Sequence, residues 1–232
     1  MILIEHTEVS GWEAAIRGMR NPMNSWDKSD SWYGCKYGDY GRTEADTCGD
    51  ACRFDCKYIL GTNDLDLMKK LIKAGTDHSK FMRMITVTCD ITAPLYWWKE
   101  ADTYKVGTVR NSCSTMHKIH SKEFTFDDFS HEHLFIESCF GRNLSIRCLE
   151  MTIDCLNFHR SKYLETKDKD YWWQMIQLLP SSYNQRATWS ANYAVLRNIY
   201  HARKDHRLNE WAEFCRWLEN LPYGKELICD LE

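Results

Sequence analysis

Residues 184–203, Asn-Gln-Arg-Ala-Thr-Trp-Ser-Ala-Asn-Tyr-Ala-Val-Leu-Arg-Asn-Ile-Tyr-His-Ala-Arg, decide the fold. Following Leu179-Pro180, residues 186–191 read as a strand. Asn192 is a good N-cap, because its side-chain oxygen can accept from an orphan backbone N–H of the first turn. Val195, Leu196, Ile199 and Ala202 then form an apolar stripe on a helix, with Arg203 at its C-terminal end. A strand running straight into an amphipathic helix fits an α+β architecture.

The same alternation extends outward. Residues 2–4 read as a short strand, and Ser10-Gly11-Trp12-Glu13 has the Ser-x-x-Glu pattern that opens a helix. Trp12, Ala15, Ile16 and Met19 give that helix one buried face, ending near Asn21-Pro22. Asn63 caps a helix carrying Leu65, Met68, Leu71 and Ile72, with Gly75 closing it. In residues 83–91, Ile85, Val87, Cys89 and Ile91 alternate with polar neighbours, the signature of a half-buried strand. Pro94 sits in the first turn of another helix. Residues 143–160, 165–178 and 207–219 complete the helices, the last burying Trp211, Ala212, Cys215 and Leu218. Between 24 and 61 no apolar period is sustained, and the stretch reads as a long loop or insertion. Residues 110–118 are polar throughout and either line a pocket or face water. There is no internal repeat and no low-complexity linker, so residues 1–232 are expected to form a single domain.

Composition bounds the function. The 232 residues carry 30 Lys+Arg against 33 Asp+Glu, a net charge of −3, which argues against a general nucleic-acid binder or a basic membrane-surface protein. No apolar run approaches the ~20 residues that span a bilayer. The first six residues lack a basic leader, so a cytoplasmic protein is expected. The 11 scattered cysteines fit free thiols in a reducing compartment better than a disulfide framework.

Several motifs fail. Cys35, Cys48, Cys52 and Cys56 have the wrong spacing for zinc ribbons or iron–sulfur runs, so no metal is expected. His131-Glu132-His133 lacks the i, i+4 spacing of a helical zinc site. Gly-rich phosphate loops, dinucleotide fingerprints and Gly-x-Ser-x-Gly elbows are missing too.

Leu179-Pro180, Arg186, Trp189, Asn192, Leu196, Asn198, Arg203 and Asp205 resemble one segment of the flavin-dependent thymidylate synthases (ThyX), and residues 176–206 can be laid on it without a gap. The family has a strand entering a helix, an Asn at the helix start, a second Asn six residues on and an Arg five beyond. Asn192, Asn198 and Arg203 reproduce these, while Ala194 stands where the family has a flavin-contacting Arg. Residues 2–7 entering a helix resemble the family's opening. Residues 67–75 followed by Asp77-His78-Ser79 resemble its approach to the flavin. The resemblance covers about two thirds of the chain, with a Cys-rich insertion at 32–58.

The family signature is Gln, two residues, Arg-His-Arg, two residues, Ser, then further polar positions. Here Thr103-Tyr104-Lys105 takes the basic triplet, Thr108 the Ser, and Asn111, Ser114 and Met116-His117 the later positions. A guanidinium grips phosphate bidentately whereas Lys105 offers one compact charge, so anion binding is expected to be weakened or redirected.

The resemblance implies a ThyX-like fold, a mixed or antiparallel sheet flanked by helices. It implies transfer of a one-carbon unit from methylenetetrahydrofolate to C5 of dUMP with reduced FAD, NADPH being the reductant and the assembly a homotetramer without nucleic acid or membrane. It assigns catalysis to Arg203; flavin binding to His78, Ser79, Thr103, Tyr104, Lys105, Asn192 and Asn198; and substrate binding to Asn111, Ser114 and Arg203. Without it, Arg203 compensates a helix dipole and Asn192 is a cap. Trp97 and Trp98 either stack on flavin or base or pack in a core. The alternative function is a non-catalytic nucleotide-binding protein of the same fold.

Overall fold

The computed structural model describes residues 1–35, 56–135 and 143–231, so Cys48 and Cys52 of the Cys-rich segment lie outside the described residues. The fold is α+β, and the chain divides into two compact units.

The first unit, residues 1–8, 88–191 and 202–217, holds most of a four-stranded sheet. Its strands are β1 (Leu3–Ser10), β4 (Thr86–Pro94), β5 (Thr108–Ser112) and β6 (Asn184–Asn192), in the order β1-β4-β6-β5. β5 and β6 are antiparallel, with Thr108 opposite Ala191 and Ser112 opposite Ala187. Alternation in β4 and β6 buries Cys89, Ile91, Ala187 and Trp189 on one face. The other face carries a polar ladder in which Arg186 pairs with Asp90 at 2.9 Å and Glu5 at 3.3 Å. Against the sheet lies an aromatic core. Trp97 and Trp98, on helix α3 (Leu95–Ala101), are both buried, and Trp97 meets Trp211 at 4.9 Å and Phe214 at 5.6 Å between ring centroids. The pair is therefore core. A second cluster joins Leu149, Ile153 and Leu156 of α4 (Leu144–Thr166) and Met175 of α5 (Lys169–Leu178) to Ile119, Phe124 and Phe129.

The second unit, residues 9–87, 192–201 and 218–232, contains α1 (Trp12–Arg20), the antiparallel hairpin β2 (Trp32–Cys35) and β3 (Cys56–Ile59), α2 (Thr62–Lys73) and most of α6 (Tyr193–Arg203). Trp12 packs edge-on against Tyr193 and Tyr223. The buried Arg20 donates to Asp64 at 2.7 Å, and Asp64 also accepts from the hydroxyls of Ser29 and Ser31 and the N–H of Asp30. Helix α7 (Asn209–Glu219) follows α6 in the chain.

Four local expectations are corrected. The first strand runs on to Ser10, so the Ser10 capping box does not form. Gly11 is the N-cap instead, at φ 90°, and a Cβ there would stand 1.9 Å from the Met84 carbonyl oxygen. Asn63 does not cap α2 either. That helix starts after Gly61, and the Asp30 carboxylate accepts from the N–H groups of Asn63 and Asp64 at 3.0 and 3.1 Å. The strand expected at 83–91 is displaced to β4 by a 3-10 turn at Lys80–Arg83. Within 24–61, the described residues hold a 3-10 turn and the β2–β3 hairpin rather than unbroken loop.

Candidate functional site

In the first unit the geometry converges on Glu100. Pro94, with extended ψ, ends β4 and becomes the N-cap of α3. Burial of Trp97, Trp98 and Ala101 leaves Glu100 half-buried at the C-terminal end of α3. Arg203, last residue of α6, donates from Nη1 to Glu100 Oε2 at 2.8 Å and from Nε to the Tyr104 hydroxyl at 2.9 Å. Its guanidinium lies over the Trp211 ring at 4.9 Å, a contact worth about 0.5–2 kcal/mol. Trp211 Nε1 donates to the same Glu100 oxygen at 2.9 Å, and His206 Nε2 stands 3.3 Å from it. Arg203 is thus fixed on three sides, while its Nη2 has no hydrogen bond among the described residues. A guanidinium so oriented presents two N–H donors in a fixed plane, the geometry that recognises a carbonyl or oxyanion.

The rest of the signature segment surrounds this cluster unevenly. Thr103 donates its hydroxyl to the Glu100 carbonyl at 2.7 Å, and Thr108 donates to the Tyr104 carbonyl at 2.6 Å. Lys105 is exposed and, like Lys99, has no ion pair or hydrogen bond among the described residues. The polar stretch after it is partly strand: Asn111 lies in β5 opposite Thr188. Ser114 accepts from the N–H groups of Met116 and His117 at 3.2 and 2.9 Å, so its hydroxyl closes a turn. Among the described contacts, Arg203 meets Tyr104 directly, but no hydrogen bond or ion pair joins it to Lys105, Asn111 or Ser114. Beside the cluster, a cleft of about 360 Å³ is lined by Trp98, Lys99, Asp102, Arg110 and Gln185. Arg110 stacks on Trp98 at 3.8 Å and pairs with Asp102 at 2.6 Å, leaving Lys99 as the cation available there.

In the second unit, Asn192 Oδ1 accepts from the Val195 N–H at 3.1 Å, making it the cap that the sequence suggested. Asn198 is exposed on α6, next to Arg197, whose guanidinium forks onto Asp230 at 2.7 and 2.5 Å. That guanidinium holds the Asp230 carboxyl below the usual carboxylate range. His78 is exposed and Ser79 half-buried, where the chain leaves Gly75. This unit also has a cleft of about 390 Å³, walled by Trp26, Trp32, Tyr33 and Tyr58. Burial and then the nearby Asp64 push the Tyr58 hydroxyl up to about 12.

Sequence reasoning missed Glu100 and His206 as partners of Arg203. The usable signal was Glu100 at four residues before Tyr104, the spacing that brings side chains together on a helix or its first exit turn. Among the described residues no cluster of His, Cys, Asp and Glu has metal-holding geometry. Cys89, Cys113, Cys148 and Cys155 are free thiols. No helix of the described residues is long and apolar enough to cross a membrane.

No family model matches the sequence, and no curated protein does. Solved structures do. Thymidylate synthase X (ThyX) from Helicobacter pylori with FAD and dUMP is similar at a TM-score of 0.65 and 15% identity, over 99% of this chain and 98% of that one. Flavin-dependent thymidylate synthase ThyX from Helicobacter pylori complexed with FAD and dUMP gives 0.62 and 15%, over 100% and 99%. At that identity the likeness establishes the fold: this chain has the ThyX fold along its whole length.

Proposed function

We propose that the chain is a ThyX-like flavoprotein that acts on a pyrimidine nucleotide, dUMP or a close relative, as a homotetramer. The observation that supports this most is the fold match over 99% of the chain to a structure holding FAD and dUMP. The donor set is compatible with an anionic cofactor and substrate: Lys99 and Lys105 are exposed cations without partners among the described residues, and Arg203 keeps Nη2 available. In the first unit, Lys105 and the hydroxyls of Thr103 and Tyr104 would meet FAD, and Asn111 and Ser114 the nucleotide; in the second unit, taken by itself, His78, Ser79, Asn192 and Asn198 are the residues that would meet FAD. Held by these residues, reduced FAD would supply one-carbon relay from methylenetetrahydrofolate and then hydride, with NADPH as the reductant. Arg203 is the catalytic residue of this reading. Held by Glu100 and Tyr104, it offers N–H donors to a uracil oxygen and stabilises negative charge on the base as C5 becomes nucleophilic. Being pinned beforehand, it requires no reorganisation at the moment of reaction.

A second reading, a nucleotide-binding protein without synthase activity, is favoured by one observation: the Glu100 carboxylate neutralises Arg203 at 2.8 Å. The experiment is to titrate purified protein with FAD, following the flavin absorbance, and then measure dUMP-dependent oxidation of the reduced flavin. Yellow protein whose flavin oxidation requires dUMP, with activity abolished in Arg203→Ala at unchanged circular dichroism, supports the enzyme. Protein that takes up nucleotide but no FAD supports the second reading.

A further inference from the structure

Helix α4 is apolar on two opposite faces. Leu149, Ile153 and Leu156 are buried in the first unit's second core, as one face of an amphipathic helix should be. On the other side Leu144, Met151 and Phe158 are 65%, 69% and 57% exposed. They are seven residues apart, about two turns, and so stand in one row. Single exposed apolar residues need no explanation, but three aligned over about 21 Å form a contiguous patch of the kind that marks an interaction site. The row has a distinctive border. Cys148 and Cys155 flank it on one side, Arg147 and Asp154 on the other. Among the described residues neither Arg147 nor Asp154 has a side-chain hydrogen bond or ion pair.

We infer that this row of α4 docks onto the same row of a second copy of the chain, antiparallel about a two-fold axis at Met151. The symmetry selects the partner. With Met151 on the axis, Leu144 of one copy packs against Phe158 of the other, and Met151 packs on itself. The same operation sets Arg147 beside Asp154 of the other copy, within about one residue's rise, twice per interface. It also sets Cys148 beside the other copy's Cys155. A parallel pair would instead turn the charged border of one helix toward the cysteine border of the other and leave both charges unpaired. The charges are therefore complementary to an inverted copy of this helix, and the two-fold makes the surface self-complementary. This inference does not rest on flavin or nucleotide binding.

Sedimentation of the full chain at micromolar concentration tests it. The expected result is an assembly with an even number of copies, whose mass halves in Met151→Glu/Phe158→Glu, because burying charge in that row weakens association by roughly tenfold or more. A short bismaleimide should give a covalent dimer on a denaturing gel, lost in Cys148→Ser/Cys155→Ser. Arg147→Asp should also weaken association, and adding Asp154→Arg should restore it. That pair alters only exposed charges and so reports on docking even if the glutamate variant misfolds. A monomeric wild type, an assembly whose mass ignores these substitutions, or a charge swap that fails to restore it would overturn the inference. FAD titration of the same samples reads the proposed function separately.

Discussion

Arg203 and Glu100 form one ion pair at 2.8 Å, and the carboxylate oxygen that accepts from Arg203 also accepts from Trp211. The arginine is thereby oriented and, to a large extent, neutralised. In Glu100→Gln the amide oxygen still accepts from Arg203 while the opposing charge disappears. Affinity for an anionic pyrimidine nucleotide should rise roughly tenfold, about the value of one charge-assisted interaction. Glu100→Ala should lower it by releasing the guanidinium from its plane. Calorimetric titration with dUMP separates the two.

Asn192 has one observed task, the cap, and one proposed task, flavin binding, and the two are separable. Its side chain accepts from the Val195 N–H, so Asn192→Ala should cost about 1 kcal/mol of stability in urea unfolding. Asn192→Asp keeps an acceptor and hence the cap, but places negative charge where flavin is proposed to lie. It should retain stability and lose FAD affinity. If both variants bind FAD like the wild type, Asn192 is a cap alone.

Asp64 predicts the acid limit of the second unit. Burial alone would raise this carboxyl, yet the hydroxyls of Ser31 and Ser29 and the Arg20 guanidinium outweigh burial and hold it below the ordinary range. In the unfolded chain it titrates near its usual value of about 3.9. Its folded value being lower, the unfolded state binds more protons as pH drops through that region. The stabilisation is full above about pH 4 and is lost as pH falls through the folded value. Asp64→Asn should cost about 3–5 kcal/mol at neutral pH, since Arg20 is left as a buried uncompensated charge. Its stability should also fall less steeply over the acid window. Urea unfolding at stepped pH measures both.

Gly11 makes the sharpest steric prediction. Its φ is 90°, and an added Cβ would meet the Met84 carbonyl oxygen at 1.9 Å. Gly11→Ala combines a left-handed backbone with a clash against main chain, which cannot rotate away. A loss of about 2–4 kcal/mol is expected by thermal or urea unfolding. Asn24 also has positive φ, 45°, and is exposed; Asn24→Gly should be neutral or slightly stabilising.

Periodic elements were legible because burial enforces them. The stripe of α6, the face of α1 and the alternation of β4 follow from apolar spacing alone, and Asn192 was found as a cap because capping is local chemistry. The failures have separate causes, each set by tertiary context. Ser10 and Asn63 looked like caps, but Asp30, more than 30 positions from the helix it serves, caps α2, and a sequence shows no such partner. β5 was hidden because edge position leaves Val109 and Asn111 exposed and removes the apolar signal. At the candidate site Arg203 was singled out through a resemblance in sequence, whereas the Glu100 carboxylate that determines how much charge Arg203 presents lies 103 residues away in the chain.

His6, with φ 51°, kinks the continuous strand β1 between Glu5 and Thr7. Among the described residues β1 is the outermost strand of its sheet, so its free amides and carbonyls would otherwise template another strand. A residue in the left-handed region turns that hydrogen-bonding row out of register, and Glu5 and Glu8 add like charges along it. An incoming strand would find only a few consecutive partners before the kink. On this side the molecule resists the end-to-end stacking of sheets that seeds fibres, and the protection is built into the backbone itself.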